Sequence, residues 1–336
     1  MAYGTTTTAN VTSVVDQFYT KDLLDVLYNN SPLYQFAYKV NLPSHNSKTV
    51  AFRRYDKTTT WQSITDGVQP PFSQAAATDT TVSIGWYGAG HKITDQVTLT
   101  IEDPIIREHQ MMIQETAKEK LGSLILTSLY ATNSVWACYS SATPYTNIKV
   151  DFDGSTFTQC DIPITTTILE TAAQIMRSNL IKPVTKQIMN STRYGSSSLP
   201  ASYLLFAPTA TQSFWRTLTG FIPKNEYSFD NFILDDEIGA AGPFRIILDD
   251  NMTVASATGG GNSRAVYPFL LIGMDGSRMP YGVVELDKKS VEVRTYARGT
   301  SPDYWAQFDI VTGKFAHASV VLNDDAVVVL YAEMPA

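Results

Sequence analysis

From Asp103 to Asn133 the chain has no proline after Pro104, and Ile105, Ile106, Ile113, Ala117, Leu121, Leu124, Ile125 and Leu129 recur at helical spacing. The start is marked by Asp103 as an N-cap, Pro104 at the first helical position, and the acidic pair Glu102 and Asp103 opposing the positive end of the helix dipole. Asn133 is the predicted left-handed cap. About 30 residues at 1.5 Å each make a rod of ~45 Å. A helix that long is close to the width of the whole molecule, so the remaining elements have to be arranged along it. Gly122 inside it costs about 1 kcal/mol against alanine, which predicts close packing or a bend there.

Before the helix the period is two. "KTVAFRRY" alternates Val50 and Phe52 with charged neighbours, and "TTVSIGWYGAGHKITDQVTLT" sets Val82, Ile84 and Trp86 on one face. Asp66-Gly67 and Pro70-Pro71 supply turn signals between them. The pattern predicts a long hairpin over 47–100. Arms of roughly 20 residues would reach ~65 Å at most, against a radius of gyration of about 20 Å for a compact chain of this size. Its tip residues Trp61, Ile64 and Phe72 then lie beyond their own core, and an isolated ribbon is marginal in water, which predicts cover from another subunit. The segment before it, "DQFYTKDLLDVLYNNSP", holds a short amphipathic helix with Phe18, Leu23, Leu24 and Leu27, and too little aliphatic mass for a core.

Behind the long helix comes a mixed region. "DIPITTTILETAAQIMRSNLIKP" predicts a second helix with Ile168, Leu169, Ala172, Ile175, Met176 and Leu180 on one face, closed by Pro183. Strand "YLLFAP", helix "TATQSFWRTLTG", a long loop to Gly242, and strands "FRIILDD", "YPFLLIG" and "YGVVEL" follow, then "SVEVRTYA", "YWAQFDIVTGKFAHASVVL" and "AVVVLYAE". The fold class is α+β, and its 336 residues predict two lobes or one elongated molecule. The chain is 44% hydrophobic, which suits an ordered protein. Its net charge of −7 with scattered basic residues argues against a direct grip on nucleic acid. No secretory signal pattern opens the chain, and no apolar run approaches the roughly 20 residues a membrane span needs. With only Cys138 and Cys160, folding in a reducing cytoplasm is the simplest reading.

Catalysis finds no foothold. His45, His91, His109 and His317 fall on different predicted elements without metal spacing, and read as solvated or core residues. The acidic clusters at Asp235 and Asp249 read as solvated loops. "DFDG" from Asp151 departs from a calcium-loop template and reads as a turn, and "TGGGNS" from Thr258 lacks the lysine of a phosphate cradle and reads as a flexible loop. No catalytic, cofactor or metal residue is assigned. Arg53, Arg54 and Lys57 form the one basic cluster, either a solvated strand face or partners for carboxylates on an adjacent subunit.

An aromatic arm, a projecting hairpin, one spine helix, a mixed lobe and returning strands occur here in an order that resembles the major capsid proteins of tailed double-stranded DNA phages, with the Hong Kong 97-like fold. "AYGTTTTANV", "DQFYTKDLLDVL", "KTVAFRRYDK", "ITDGVQP", "GHKITDQVTLTIEDPI" and "FAHASVVLNDDAVVVLYAE" are similar to the capsid proteins of the phage N-four family, with the likeness strongest over 2–132 and 305–333. The resemblance implies an N-terminal arm over 1–46, an extended E-loop over 47–100 and a peripheral domain with the spine helix over 101–159. An axial domain would follow over 160–295, and return strands over 296–336. It implies hexamers and pentamers closing into an icosahedral virion shell assembled in the host cytoplasm. It also implies a separate scaffolding protein, a portal protein and possibly decoration proteins as partners, DNA enclosed without sequence-specific binding, and no membrane. Inter-subunit contact candidates are Phe18, Tyr19, Arg53, Arg54, Lys57, Trp61, Ile64 and Phe72; the spine core is Ile106, Ile113, Ala117, Leu121, Leu124 and Ile125. The alternative is a β-rich polysaccharide-binding or degrading tail or surface protein, which predicts paired carboxylates and a repeating scaffold.

Overall fold

The structure, a computed structural model, describes residues 32–43, 47–55, 61, 63–64, 66–67, 74, 76–100, 105–186, 200–227, 236–276, 278–286, 291–299 and 305–334. In chain order the strands are β1 (Tyr38–Leu42), β2 (Thr49–Tyr55), β3 (Ala77–Ser83), β4 (Gly85–Thr94), β5 (Val135–Cys138), β6 (Ile148–Lys149), β7 (Tyr203–Pro208), β8 (Phe221–Pro223), β9 (Glu237–Ala241), β10 (Phe244–Asp249), β11 (Val266–Ile272), β12 (Tyr281–Leu286), β13 (Glu292–Tyr296), β14 (Phe308–Val321) and β15 (Val327–Glu333). The α-helices are α1 (Leu33–Phe36), α2 (Asp95–Thr100), α3 (Ile105–Tyr130), α4 (Thr166–Ser178) and α5 (Gln212–Thr217).

Uninterrupted apolar runs such as "YLLFAP" mark strands covered on both faces, and that is how β7 is used. Leu204 and Phe206 join one core with Leu270, Ile272, Val327 and Val329, while Tyr203, Leu205 and Ala207 join another with Leu271, Val328 and Leu330. These strands belong to an eight-stranded sheet of order β6-β5-β15-β11-β7-β10-β9-β8. Helix α4 covers the second face with Ile168, Leu169, Ala172, Ile175 and Met176, and its N-cap Thr165 accepts from the Ile168 amide. Leu180, expected on that face, lies past the helix end at a φ of 65° and is 75% exposed. The loop expected before Gly242 contains β8 and β9.

A second sheet has five strands. Strand β14 carries β4 along one edge and β13 and β12 end to end along the other, with β1 parallel to β12 outside. Helix α3 links the two sheets. Its N-terminal half sits on the five-stranded sheet through Ile113, Val311 and Ile93, and its C-terminal half, Ile125, Leu126 and Leu129, enters the core below the eight-stranded sheet. At 26 residues it spans ~39 Å. The expected start signals at Glu102, Asp103 and Pro104 lie outside the described residues. Its other end differs from expectation: Asn133 takes no positive φ, and its side-chain amide donates to Asp324 Oδ2 at 2.7 Å. Gly122 is buried within the helix.

The expected boundaries at 160 and 295 do not follow the sheets. Strands β12 and β13 leave the mixed region for the five-stranded sheet, while β15 returns to the middle of the eight-stranded one, between β5 and β11. Ladder partners far apart in sequence decide membership here.

Candidate assembly surface

Strands β2 and β3 form a separate two-stranded ribbon, Thr49 opposite Ser83 through Tyr55 opposite Ala77. Among the described residues the ribbon has seven residues a side, ~23 Å, and its base begins later than the arms expected over 47–100. The shortening has a plain cause: β4 pairs with β14 instead of extending the ribbon, and Asp95–Thr100 is helical rather than strand. The base of the ribbon rests on its own chain. Val50, Phe52 and Val82 pack against Ile84, Val284, Ala316 and Ala318, and a Cβ at Gly282 would lie 3.2 Å from the Phe52 ring.

Beyond the base the apolar side chains have no such cover. Tyr55 is 71% exposed, Trp61 95% and Ile64 78%. Trp61 and Ile64, two of the inter-subunit contact candidates, are exposed among the described residues. Phe18, Tyr19, Lys57 and Phe72 fall outside the described residues.

The basic cluster is engaged within the chain. Arg53 donates from Nε and Nη2 to the two carboxylate oxygens of Asp79, both at 2.8 Å, a bidentate pair directly across the ladder. That hydrogen bond raises the guanidinium and lowers the Asp79 carboxyl from their ordinary values. Arg54 lies 3.9 Å from Asp275, in the turn that precedes β12. The sequence shows Arg53 and Asp79 separately; only the register shows them as partners.

Of the expected spine core, Ile113 (2% exposed), Ala117 (9%) and Ile125 (0%) are buried, and Ile106, Leu121 and Leu124 are half-buried. Leu126 joins the core unanticipated, because the second half of α3 is wrapped by more than one element. Trp86 keeps the face expected of it, that of Val82 and Ile84, through its ladder partner Ala316. It is 60% exposed, since the ribbon covers the face of the five-stranded sheet only as far as Ile84. Past that point Trp86, Lys314 and Tyr296 lie open, with Lys314 Nζ 5.9 Å above the Trp86 ring and Trp305 84% exposed nearby in sequence to β14. The alternation of β4 was the available signal, but it does not say where the cover ends.

Each acidic cluster has one buried member, Glu237 and Asp249, beside an exposed one, Asp236 and Asp250. Glu237 is fully buried, accepts from Tyr227 Oη at 2.9 Å and lies 3.7 Å from Arg245, itself 2% exposed. Burial, then Glu237, pushes the Tyr227 phenol up. Asp249 is 1% exposed and accepts from the Asn251 amide; Asp235 is outside the described residues. The turn at Asp151 holds as read, with Asp153 accepting from the Thr156 hydroxyl and then from the Thr156 and Ser155 amides, which together hold its carboxyl well below the usual range. "TGGGNS" is not a free loop: Asn262 donates from its amide and side chain to Glu333 at 3.2 Å, and the Gly261 amide donates to the Cys160 carbonyl. Among the described residues no group of three or more His, Cys, Asp or Glu is placed to hold a metal ion, and no helix is long and apolar enough to cross a membrane.

No protein-family model and no curated protein matches the chain. Solved structures do. A chain of the cyanophage Pam1 capsid asymmetric unit aligns with a TM-score of 0.63 at 13% identity, over 99% of this chain and 99% of that one. A chain of the head structure of Helicobacter pylori bacteriophage KHP40 gives 0.63 at 12%, over 99% and 98%. One from the capsid structure of cyanophage P-SCSP1u gives 0.62 at 13%, over 97% and 95%. The chain has the Hong Kong 97-like fold of phage capsid proteins.

Proposed function

We propose that this chain is a major capsid protein, copies of which form the hexamers and pentamers of an icosahedral shell around a phage's double-stranded DNA. The observation that carries the reading is end-to-end correspondence: at 97% or more of this chain and 95% or more of the solved capsid and head chains, the fold leaves no segment over for a different task. The uncovered Trp61 and Ile64 support it physically, because a ribbon tip that buries nothing at home gains stability when a neighbouring copy covers it.

In this reading the ribbon is the E-loop that clasps the next subunit, residues 1–46 are an arm, the five-stranded sheet with α3 is the peripheral domain, and the eight-stranded sheet with α4 is the axial domain. Its role is structural rather than catalytic. The net charge of −7 suits a wall that encloses DNA without gripping it. A scaffolding protein, a portal protein and decoration proteins are the partners it calls for, with assembly in the host cytoplasm and residence in the virion.

The test follows from the register. Tyr55 pairs with Ala77, so replacing residues 56–76 with Asn-Gly joins that pair in a two-residue turn. Negative-stain images of the parent are expected to show shells, tubes or hexameric rings. The trimmed chain is expected to keep its circular dichroism and melting transition and to sediment as monomers or loose capsomers. A parent seen only as compact monomers refutes the shell reading, and a trimmed chain that assembles normally refutes the role of the tip.

A further inference from the structure

Three histidines that share no sequence neighbourhood meet at one interface. The odd-numbered residues of β14 face α3: Val311 clusters with Ile113, a Cβ on Gly313 would lie 2.3 Å from Ile113 Cγ2, and Ser319 Oγ donates to the Leu124 carbonyl at 3.4 Å. His317 lies on this face and is 2% exposed, with neither ring nitrogen hydrogen-bonded among the described residues. Farther along, His91 sits opposite Val311 on β4, and its ring is 4.9 Å from that of His109 on α3. His109 Nδ1 is buried without a partner among the described residues.

We propose that the seating of α3 on the five-stranded sheet is an acid-sensitive latch: protonation of His317, and of His91 and His109 together, loosens the N-terminal half of the helix from the sheet while the eight-stranded sheet stays intact. The proposal goes beyond the shell reading and concerns the single subunit. A charged His317 carries two N–H donors, neither with an acceptor within hydrogen-bond distance among the described residues, and two imidazolium rings at the distance of His91 and His109 repel. Between helix and sheet lies a cavity of about 280 Å³ lined by Tyr87, Ile113, Ala117, Lys120, Gly313 and Phe315, among others, so the helix has room to shift without unfolding the chain.

The surrounding charges do not cancel the effect. Glu285 of β12 is opposite His317 in the ladder and keeps its charge while accepting from the Tyr34 hydroxyl of α1, yet burial prevails over it at His317, and Lys120 of α3, lining the neighbouring cavity, carries the same sign as the imidazolium. Around the pair, Glu108 favours the charged His109, but burial and then His91 outweigh it and lower its titration. Asp309, diagonal to His91 on β14, is occupied by the Arg298 amide and guanidinium, and Arg107 follows the same helix with like charge. Burial holds the His317 imidazole down to about 4 from an ordinary value of 6.5. A histidine lowered on folding leaves stability whole above about 6.5 and removes it as the pH falls toward about 4.

Hydrogen exchange of the purified soluble chain, corrected for intrinsic rates, tests the latch. Between pH about 7 and about 4.5, peptides from 105–122 are expected to lose protection by at least about tenfold relative to peptides from α4, which contains no histidine. The variant His317→Leu with His91→Gln and His109→Gln is expected to abolish that difference. Proton NMR titration of the parent gives a second reading that needs no variant: the His317 ring signals are expected to shift over the same pH range as the exchange of α3. Equal loss from α3 and α4, an unchanged acid response in the variant, or His317 titrating near 6.5 with α3 protected throughout would each overturn it.

Discussion

A tight contact between α3 and the sheet, at Gly313, is the place to perturb the fold quantitatively. Gly313 sits at the middle of β14, and a Cβ there would lie 2.3 Å from Ile113 Cγ2, a distance at which one of the two has to move. Ile113 is 2% exposed. Gly313→Ala therefore forces the helix off its seat, with a cost of about 1–3 kcal/mol from overpacking, reduced by the ~0.5–1 kcal/mol that alanine gains over glycine in a strand. Ile113→Ala removes the colliding methyl and leaves a hole, costing about 2–5 kcal/mol. In the double variant the new methyl occupies space the isoleucine vacated, so the two losses do not add: a favourable coupling of about 1–2 kcal/mol is expected. Urea unfolding of the soluble subunit, with the midpoint shifting at constant slope, reads each corner of the cycle. A Gly313→Ala variant as stable as the parent, or a double variant that sums to within about 0.5 kcal/mol, would refute the packing argument.

Two further outcomes follow from groups buried elsewhere. Cys138 and Cys160 are both 0% exposed, and burial pushes the Cys160 thiol up to about 12 and the Cys138 thiol upward as well, so neither should react with a disulfide reagent at pH about 8 until the chain is denatured; rapid labelling of the folded protein counts against their placement. Glu237→Ala takes a buried carboxylate away from Arg245 and Tyr227 and should cost about 3–5 kcal/mol, whereas Arg53→Ala, which breaks an exposed pair, should cost less than about 1 kcal/mol, and comparable losses would contradict the burial difference.

What the sequence disclosed, and what it withheld, divides along pairing. Helix α3 was legible because spacing is a local property, and the strands β7, β10, β11 and β15 because a run such as "VVVLYAE" has no other comfortable structure. Strand β9 was invisible: "EIGAA" carries small residues since the Phe221 ring leaves no space, a Cβ at Gly239 falling 2.4 Å from it, and small residues mimic a loop. The ribbon was overextended because the alternation runs on through Ile84 while the partner changes from β2 to β14. For the candidate surface, Trp61 and Ile64 were found by their isolation from any apolar mass. The Arg53–Asp79 pair and the approach of His91 to His109 depend on register and on the return of α3 across β4, neither of which any local pattern encodes.

The two halves of α3 are held unequally, and this follows from what they touch. Ile125 and Leu129 are fully buried against Leu33, Leu204, Phe206, Leu270 and Val329, so their displacement would expose apolar surface on several elements at once. The first half has Ile113 and Ala117 over a cavity, with half-buried Ile106 and the paired histidine rings at its edge. The loosely held end lies on the sheet whose other face supports the ribbon through Phe52, Val284 and Ala318. The seat of α3 and the base of the ribbon therefore lie on opposite faces of the same sheet, with β14 contributing Val311 to one cluster and Ala316 and Ala318 to the other.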